Sequence, residues 1–333
     1  SRAANWSIYG YNRNTNPELT KIKGLTAFSH VLTESNTTHK SVPMLMSSVT
    51  AHDFNSIYRQ KGIITAFKEA GYRTAFFSNQ RYNHSFIDFF GKEADICDFI
   101  KEDTGDGSYN PSDDELLKLV AAELAENASK QFIVLHTYGS HFNYRERYPA
   151  DNAFFLPDFP VDAELKYKDN LINAYDNSIR YTDNFLARLI RMLQEQDIDT
   201  AMLYTSDHGE DIFDDDRHLF LHASPVPSYY QIHVPFLIWM SDNYRKNYPD
   251  LFKNAEINRQ KNISSSASFF QTMLELGGID TPSRNDSLSV INASYTEKNR
   301  VYLNDHNEAR SLNDIGMREE DFTMLQTKGI VYR

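Results

Sequence analysis

The stretch TAMLYTSDHGE, residues 200–210, decides the reading of the fold. Ala201-Met202-Leu203-Tyr204 is short, apolar and non-alternating, the pattern of a strand covered on both faces. It runs directly into Asp207, His208, Gly209 and Glu210. Three ionisable side chains and a glycine where a core strand leaves the core need a reason. Alone, an Asp-His-Gly triplet is a turn signal. In an open α/β sheet, however, ligands gather at the carboxyl ends of strands, which makes the same triplet a candidate site.

Three further segments have the same buried-strand pattern: Thr74-Ala75-Phe76-Phe77, Phe132-Ile133-Val134-Leu135 and Pro235-Phe236-Leu237-Ile238-Trp239. Helical patterns lie between them. Residues 63–70 end at Gly71, a C-cap candidate. Residues 115–126 follow Pro111-Ser112-Asp113-Asp114, with Ser112 and Glu115 at capping-box spacing. Residues 168–196 carry the stripe Leu171, Ala174, Tyr175, Ile179, Thr182, Phe185, Leu186, Leu189, Leu193 at helical period. Residues 267–276 stop at Gly277-Gly278. Strand–helix alternation predicts an α/β/α sandwich with a mostly parallel central sheet. No repeat or low-complexity linker divides the chain, so residues 1–333 read as one catalytic domain. Residues 145–165 read as a Pro- and aromatic-rich loop, and 283–333, which lack a clear pattern, as a candidate edge subdomain.

Composition narrows the function classes. Of 333 residues, 41% are hydrophobic and 24% charged, ordinary for a globular protein. The net charge of −12 offers no basic excess to neutralise phosphates, which argues against a nucleic-acid partner. Cys97 is the single cysteine, so no intrachain disulfide forms. No stretch reaches the 18 or so apolar residues of a membrane helix. The chain starts at Ser1-Arg2-Ala3 without an initiator Met and reads as a soluble piece of something longer.

Two strand ends and one nearby loop offer metal-type side chains to one sheet edge. After 132–135 comes His136-Thr137-Tyr138-Gly139-Ser140-His141; after 201–204 come Asp207 and His208; shortly beyond lies Arg217-His218-Leu219-Phe220-Leu221-His222. Carboxylate and neutral imidazole suit Zn²⁺, and a catalytic zinc keeps a position open. Plainer readings stand beside this one. His136 reads as the polar end of a strand, His218 as a bystander and Asp214-Asp215-Asp216 as a solvated loop. A nucleophile candidate lies in Glu34-Ser35-Asn36-Thr37-Thr38-His39-Lys40-Ser41-Val42-Pro43, which also reads as a helix N-cap region. The two roles are compatible, because a metal or a helix N-terminus can activate a Thr hydroxyl.

Five stretches in this order resemble the phosphoethanolamine transferases of the alkaline phosphatase/sulfatase superfamily, which modify lipid A and related envelope glycans. They are Ser7-Ile8-Tyr9-Gly10-Tyr11-Asn12-Arg13-Asn14-Thr15-Asn16-Pro17, Thr38 to Met44, Gly139-Ser140-His141, Asn173 to Ile179 with Thr182-Asp183, and Ser206 to Glu210 with Leu221-His222. The resemblance implies an alkaline-phosphatase-like fold and a zinc-dependent reaction. Thr38, favoured over Thr37 by its spacing to Pro43, would be the catalytic nucleophile and would touch the metal. Asp207 and His208 would bind one zinc. His141 and His222 would hold substrate phosphate or a second zinc. Phosphatidylethanolamine would be the donor, the acceptor lipid A or another envelope glycan, and the intermediate a phospho-threonine. The parent protein would be anchored in the inner membrane by an N-terminal region, with this domain facing the periplasm.

Two departures carry expectations. The family has a zinc-ligating Glu at the end of a first strand, which would lie upstream of Ser1, so the chain is expected to lack that ligand and strand and to bind zinc weakly. Relatives staple this domain with disulfides; a chain with only Cys97 has none. Three rivals remain. A phosphoglycerol transferase or phosphodiesterase of the same superfamily would use the same Thr. A sulfatase needs Cys or Ser followed by x-Pro-x-Arg, which Cys97-Asp98-Phe99-Ile100-Lys101 lacks. A non-catalytic domain would keep the fold alone.

Overall fold

The computed structural model describes residues 1–101 and 110–332. All four strands read from the apolar runs are present, as Arg73–Ser78, Gln131–His136, Ala201–Thr205 and Phe236–Met240. Two more strands of the three-stranded sheets were not legible. Leu25–Ala27 is only three residues long, and Ile96–Phe99 is an edge strand with Cys97 and Asp98 exposed.

These six strands form two three-stranded groups, and shorter two-stranded pairs lie outside them. In one, Arg73–Ser78 lies between Ile96–Phe99 and Gln131–His136, all parallel, with Ser78 opposite His136. In the other, Phe236–Met240 lies between Leu25–Ala27 and Ala201–Thr205 and is antiparallel to both. The parallel expectation therefore fails at Phe236–Met240. Full burial on both faces gives the same unbroken apolar run in either direction, so the pattern cannot report orientation.

Helices cover these strands. The helix read at 168–196 is Lys168–Gln194, and Leu171, Ala174, Tyr175, Ile179, Phe185, Leu186 and Leu189 all enter the main apolar core beside Trp6, Leu237 and Trp239. Its buried polar residues bind the chain's N-terminal segment. Asp176 accepts from Asn5 and Tyr11 and pairs with Arg13, while Asp183 accepts the backbone N–H groups of Glu18 and Leu19. The two matching motifs at 7–17 and 173–183 are thus two halves of one bracket.

The helix read at 115–126 is Asp114–Ala125, and its capping box does not form. Asp113 occupies the N-cap position with helical backbone angles, and its carboxylate serves another segment, described below. Residues 283–332 are not patternless. Val301–Leu303 and Ala309–Ser311 make an antiparallel pair, and helix Glu319–Thr327 packs Leu325 with Tyr302 and Leu312 against Tyr229 and Ile232.

Candidate active site

Thr38 is the first residue of the helix Thr38–Met46, and Thr37 is its N-cap. Thr37 has extended angles (φ −131°, ψ 132°), and its carbonyl accepts from Lys40 and Ser41, which starts the helix. The two hydroxyls then part company. The Thr37 Oγ1 lies 3.2 Å from Ser35 Oγ within the turn, whereas Thr38 Oγ1 lies 3.0 Å from His208 Nε2.

The loop after Ala201–Thr205 brings His208 there. Its Nδ1 lies 2.8 Å from the Gly209 carbonyl, which can only accept, so Nδ1 carries the proton and Nε2 presents a lone pair to Thr38. The ring is buried, and burial pushes its pKa down, so the neutral form persists at pH 7. Asp207 Oδ2 lies 3.4 Å from His208 Nε2. Burial alone would raise the Asp207 carboxyl. Hydrogen bonds from the Thr38 hydroxyl and the His208 backbone oppose that and favour the carboxylate. Glu210 turns inward instead. Burial pushes it up to about 7 beside Tyr144.

Gly209 answers the question posed by the triplet. A Cβ on it would stand 2.0 Å from the Tyr230 carbonyl oxygen and 2.8 Å from Arg2 Cβ. Its N–H donates to the Gln231 carbonyl at 2.8 Å. The backbone passes too close to its neighbours here for any side chain.

The two-residue ladder Asp211–Ile212 with Phe220–Leu221 folds His222 back over His208, ring centroids 4.1 Å apart. Its flanks, Leu221 and Ala223, sit at φ +67° and +63°, backbone that L-residues adopt rarely and that is a strained conformation for a leucine. Burial, then His208, hold His222 down at about 3, and its buried Nδ1 has no hydrogen-bond partner among the described residues. His141 stands 6.4 Å from His222, ring to ring. Its Nδ1 donates to the Phe142 carbonyl at 2.6 Å, which again leaves Nε2 free.

Thr38, Asp207, His208, His222 and His141 therefore converge at one end of the strands. His136 does not take part; it bonds Ser78 across the parallel pair, as a polar strand end should. The Asp214–Asp216 run is not a free solvated loop, since Asp214, Asp215 and Asp216 pair with Arg2, Arg217 and Arg318. Sequence reading missed Asp113. Its carboxylate accepts the backbone N–H of Tyr138 (2.8 Å) and Gly139 (2.9 Å) and the Asn79 amide (2.8 Å), so it holds the turn that carries His141. The only signal was an acidic residue at a helix start, which normally serves its own helix.

As a metal centre the set is partial. Among the described residues, no group of three or more His, Cys, Asp and Glu is gathered closely enough to hold an ion. Asp207, His208 and the Thr38 hydroxyl do lie together, and their donor types suit zinc.

A family model described as Sulfatase matches residues 1–279. The chain belongs to this family. Cys97 lacks the sulfatase nucleophile pattern, so membership establishes the fold and not sulfate-ester hydrolysis. Among curated relatives, phosphoethanolamine transferase EptC of Escherichia coli K12 is 25% identical over 88% of this chain and 52% of its own length. Kdo(2)-lipid A phosphoethanolamine 7''-transferase of the same strain is 30% identical over 77% of this chain and 45% of its own length. The chain spans about half the length of the curated relatives it matches. The C-terminal periplasmic domain of E. coli EptC, solved in complex with Zn, superposes with TM-score 0.85 at 23% identity, over 95% of this chain and 90% of that one. The lipoteichoic acid synthase LtaP of Listeria monocytogenes shares the fold more distantly, with TM-score 0.55 at 16% identity, over 84% of this chain and 69% of that one. The alkaline-phosphatase-like α/β fold expected from the sequence is the fold observed.

Proposed function

We propose that this chain is the catalytic domain of a zinc-dependent phosphoethanolamine transferase, with phosphatidylethanolamine as donor and lipid A or another envelope glycan as acceptor. The observation that carries the reading is the Thr38 hydroxyl at a helix N-terminus, 3.0 Å from a neutral His208 and grouped with Asp207, in a chain whose relatives bear that activity in their names. Asp207, His208 and Thr38 would hold the zinc, which would supply a Lewis acid that lowers the Thr38 pKa. The remaining ligand would be the Glu expected upstream of Ser1, on a strand for which Gln131–His136 and Ala201–Thr205 each offer an edge unpaired among the described residues.

The residues then divide the work. Thr38 gives up its hydroxyl proton to solvent, and Oγ1 then forms a bond to phosphorus as the ester bond to diacylglycerol breaks. The helix N-terminus at Thr38 favours the negative charge gathering there. His141 and His222 are neutral when empty, but phosphate oxygens beside them raise their proton affinity. As imidazolium they steady those oxygens and give the leaving alkoxide its proton. An acceptor oxygen then displaces Thr38 Oγ1 from phosphorus, and the leaving Oγ1 takes up a proton from solvent, which restores the free hydroxyl and completes the transfer.

No described helix is long and apolar enough to cross a membrane. An N-terminal anchor in the inner membrane, outside this chain, would hold the domain at its lipid donor on the periplasmic side. The reading is tested by following diacylglycerol release from fluorescent phosphatidylethanolamine by the whole protein with zinc. Release that needs both zinc and Thr38 supports it; zinc-loaded protein with no release refutes it.

A further inference from the structure

The site residues continue outward as a row. The His208 ring lies tilted against His222, His222 meets His141 edge-on, and the His141 ring meets Tyr138 edge-on at 5.2 Å. At Tyr138 the character changes from imidazole to permanent cation. Lys101 Nζ lies 4.1 Å and Arg147 Cζ 4.0 Å from the Tyr138 ring centroid. Beside the ring opens a cleft of about 470 Å³ walled by Gln80, Asn83, Lys101, Asn110 and Glu146, with Arg81 also on its wall.

This cleft is built for an anion. Acids outnumber bases 46 to 34 over the whole chain, yet among the described residues this cleft is lined by Arg81 and Lys101 against one carboxylate, Glu146, which Arg147 pairs from behind. Burial, then the charges of Arg147 and Arg81, push the Lys101 pKa down, the mark of cations held together. Arg147 is buried behind Tyr138 and spends its donors on the Asn143 carbonyl and on Glu146. Among the described residues Lys101 has no carboxylate partner. Its ammonium donates to Asn110 Oδ1 at 2.8 Å, which leaves two of its three donors. Gln80, Asn83 and Asn110 add amide N–H donors along the same wall.

We propose that this cleft binds a second anionic group of the substrate, a phosphate or carboxylate borne by the acceptor and distinct from the phosphoryl group being transferred. The inference rests on the transferase reading above. Phosphatidylethanolamine has one phosphate, which must sit at Thr38 to react. An anion at the far end of the row therefore belongs to the acceptor, and Lys101 is a specificity residue for polyanionic glycolipids.

The test uses the whole protein with zinc, as wild type, Lys101→Gln and Lys101→Glu; Lys101 is half-buried, and neither change empties a core position. Diacylglycerol release without acceptor should stay within about 2-fold in both variants. KM for bisphosphorylated lipid A should rise about 10-fold in Lys101→Gln and further in Lys101→Glu at unchanged kcat, while KM for the monophosphorylated form should not move. Equal KM values in all three proteins, or equal losses in the donor half-reaction, would overturn the cleft assignment. If wild type releases no diacylglycerol, the transferase reading fails separately. Calorimetric titration with inorganic pyrophosphate then decides the cleft: about 10-fold weaker binding in Lys101→Gln sustains it, and unchanged binding ends it.

Discussion

Asp113→Asn is the substitution whose consequences the structure lets one follow furthest. The two carboxylate oxygens of Asp113 receive three N–H groups, from Tyr138, Gly139 and Asn79, all at 2.8–2.9 Å. Asparagine keeps one acceptor oxygen and turns the other into a donor, aimed at a backbone N–H that also donates. A hydrogen bond to a charged group contributes about 1.5–3 kcal/mol, and a stranded buried donor costs about 1–3 kcal/mol, so the variant should lose about 2–4 kcal/mol of stability. The loss falls on the turn that carries His141. A misplacement of about 1 Å can cost on the order of 100-fold in rate, so diacylglycerol release should fall about 10- to 100-fold. Urea unfolding and the release assay read the two effects. Because Asp113 acts through His141, the double variant with His141→Ala should be no slower than His141→Ala alone. Additive losses in that cycle, or full activity at reduced stability, would refute the reasoning.

Further outcomes follow from the same geometry. Thr37→Ala should keep release within about 2-fold and Thr38→Ala should abolish it, since only the second hydroxyl meets His208; kinetics of both variants check this. Gly209→Ala must push a Cβ away from the Tyr230 carbonyl 2.0 Å distant, so it should destabilise by about 1–3 kcal/mol or more and displace Asp207 and His208, which calorimetry and release rates would register together. Glu34, buried and pushed up to about 7 from an ordinary 4.5, holds a proton in the folded chain that the unfolded chain has already released. Wild type should therefore lose stability as pH rises from about 4.5 through 7, and Glu34→Gln should lose less, keeping the share that Glu210 contributes in the same way. The two should differ by about 3 kcal/mol more at pH 8 than at pH 4, measured by urea unfolding at both.

Most of the fold was legible because burial writes itself into composition. The run Phe236–Met240 could be read as a strand from five buried side chains, but not as an antiparallel one, since direction leaves no mark on a strand buried on both faces. Ile96–Phe99 was invisible because it lies at an edge and exposes its middle residues. At the site, the matching motifs gave the residue identities, while the choice between Thr37 and Thr38 became physical only once their hydroxyls could be seen to point to different partners. Asp113 could not be found from sequence. Its local context is a helix start, and its partners lie 25 and 26 residues away on a strand-end loop. The cleft at Tyr138 was hidden for the same reason, as Gln80, Lys101 and Arg147 come from three separate segments.

The central claim is a covalent phosphoethanolamine on Thr38, and intact mass with peptide mapping tests it most directly. The whole protein would be incubated with zinc and phosphatidylethanolamine in the absence of acceptor. The account predicts one phosphoethanolamine adduct, mapped to the peptide containing Thr38 and lost in Thr38→Ala, in Asp207→Asn and on chelation of the metal. An adduct on another residue, or diacylglycerol release with no adduct at all, would contradict it.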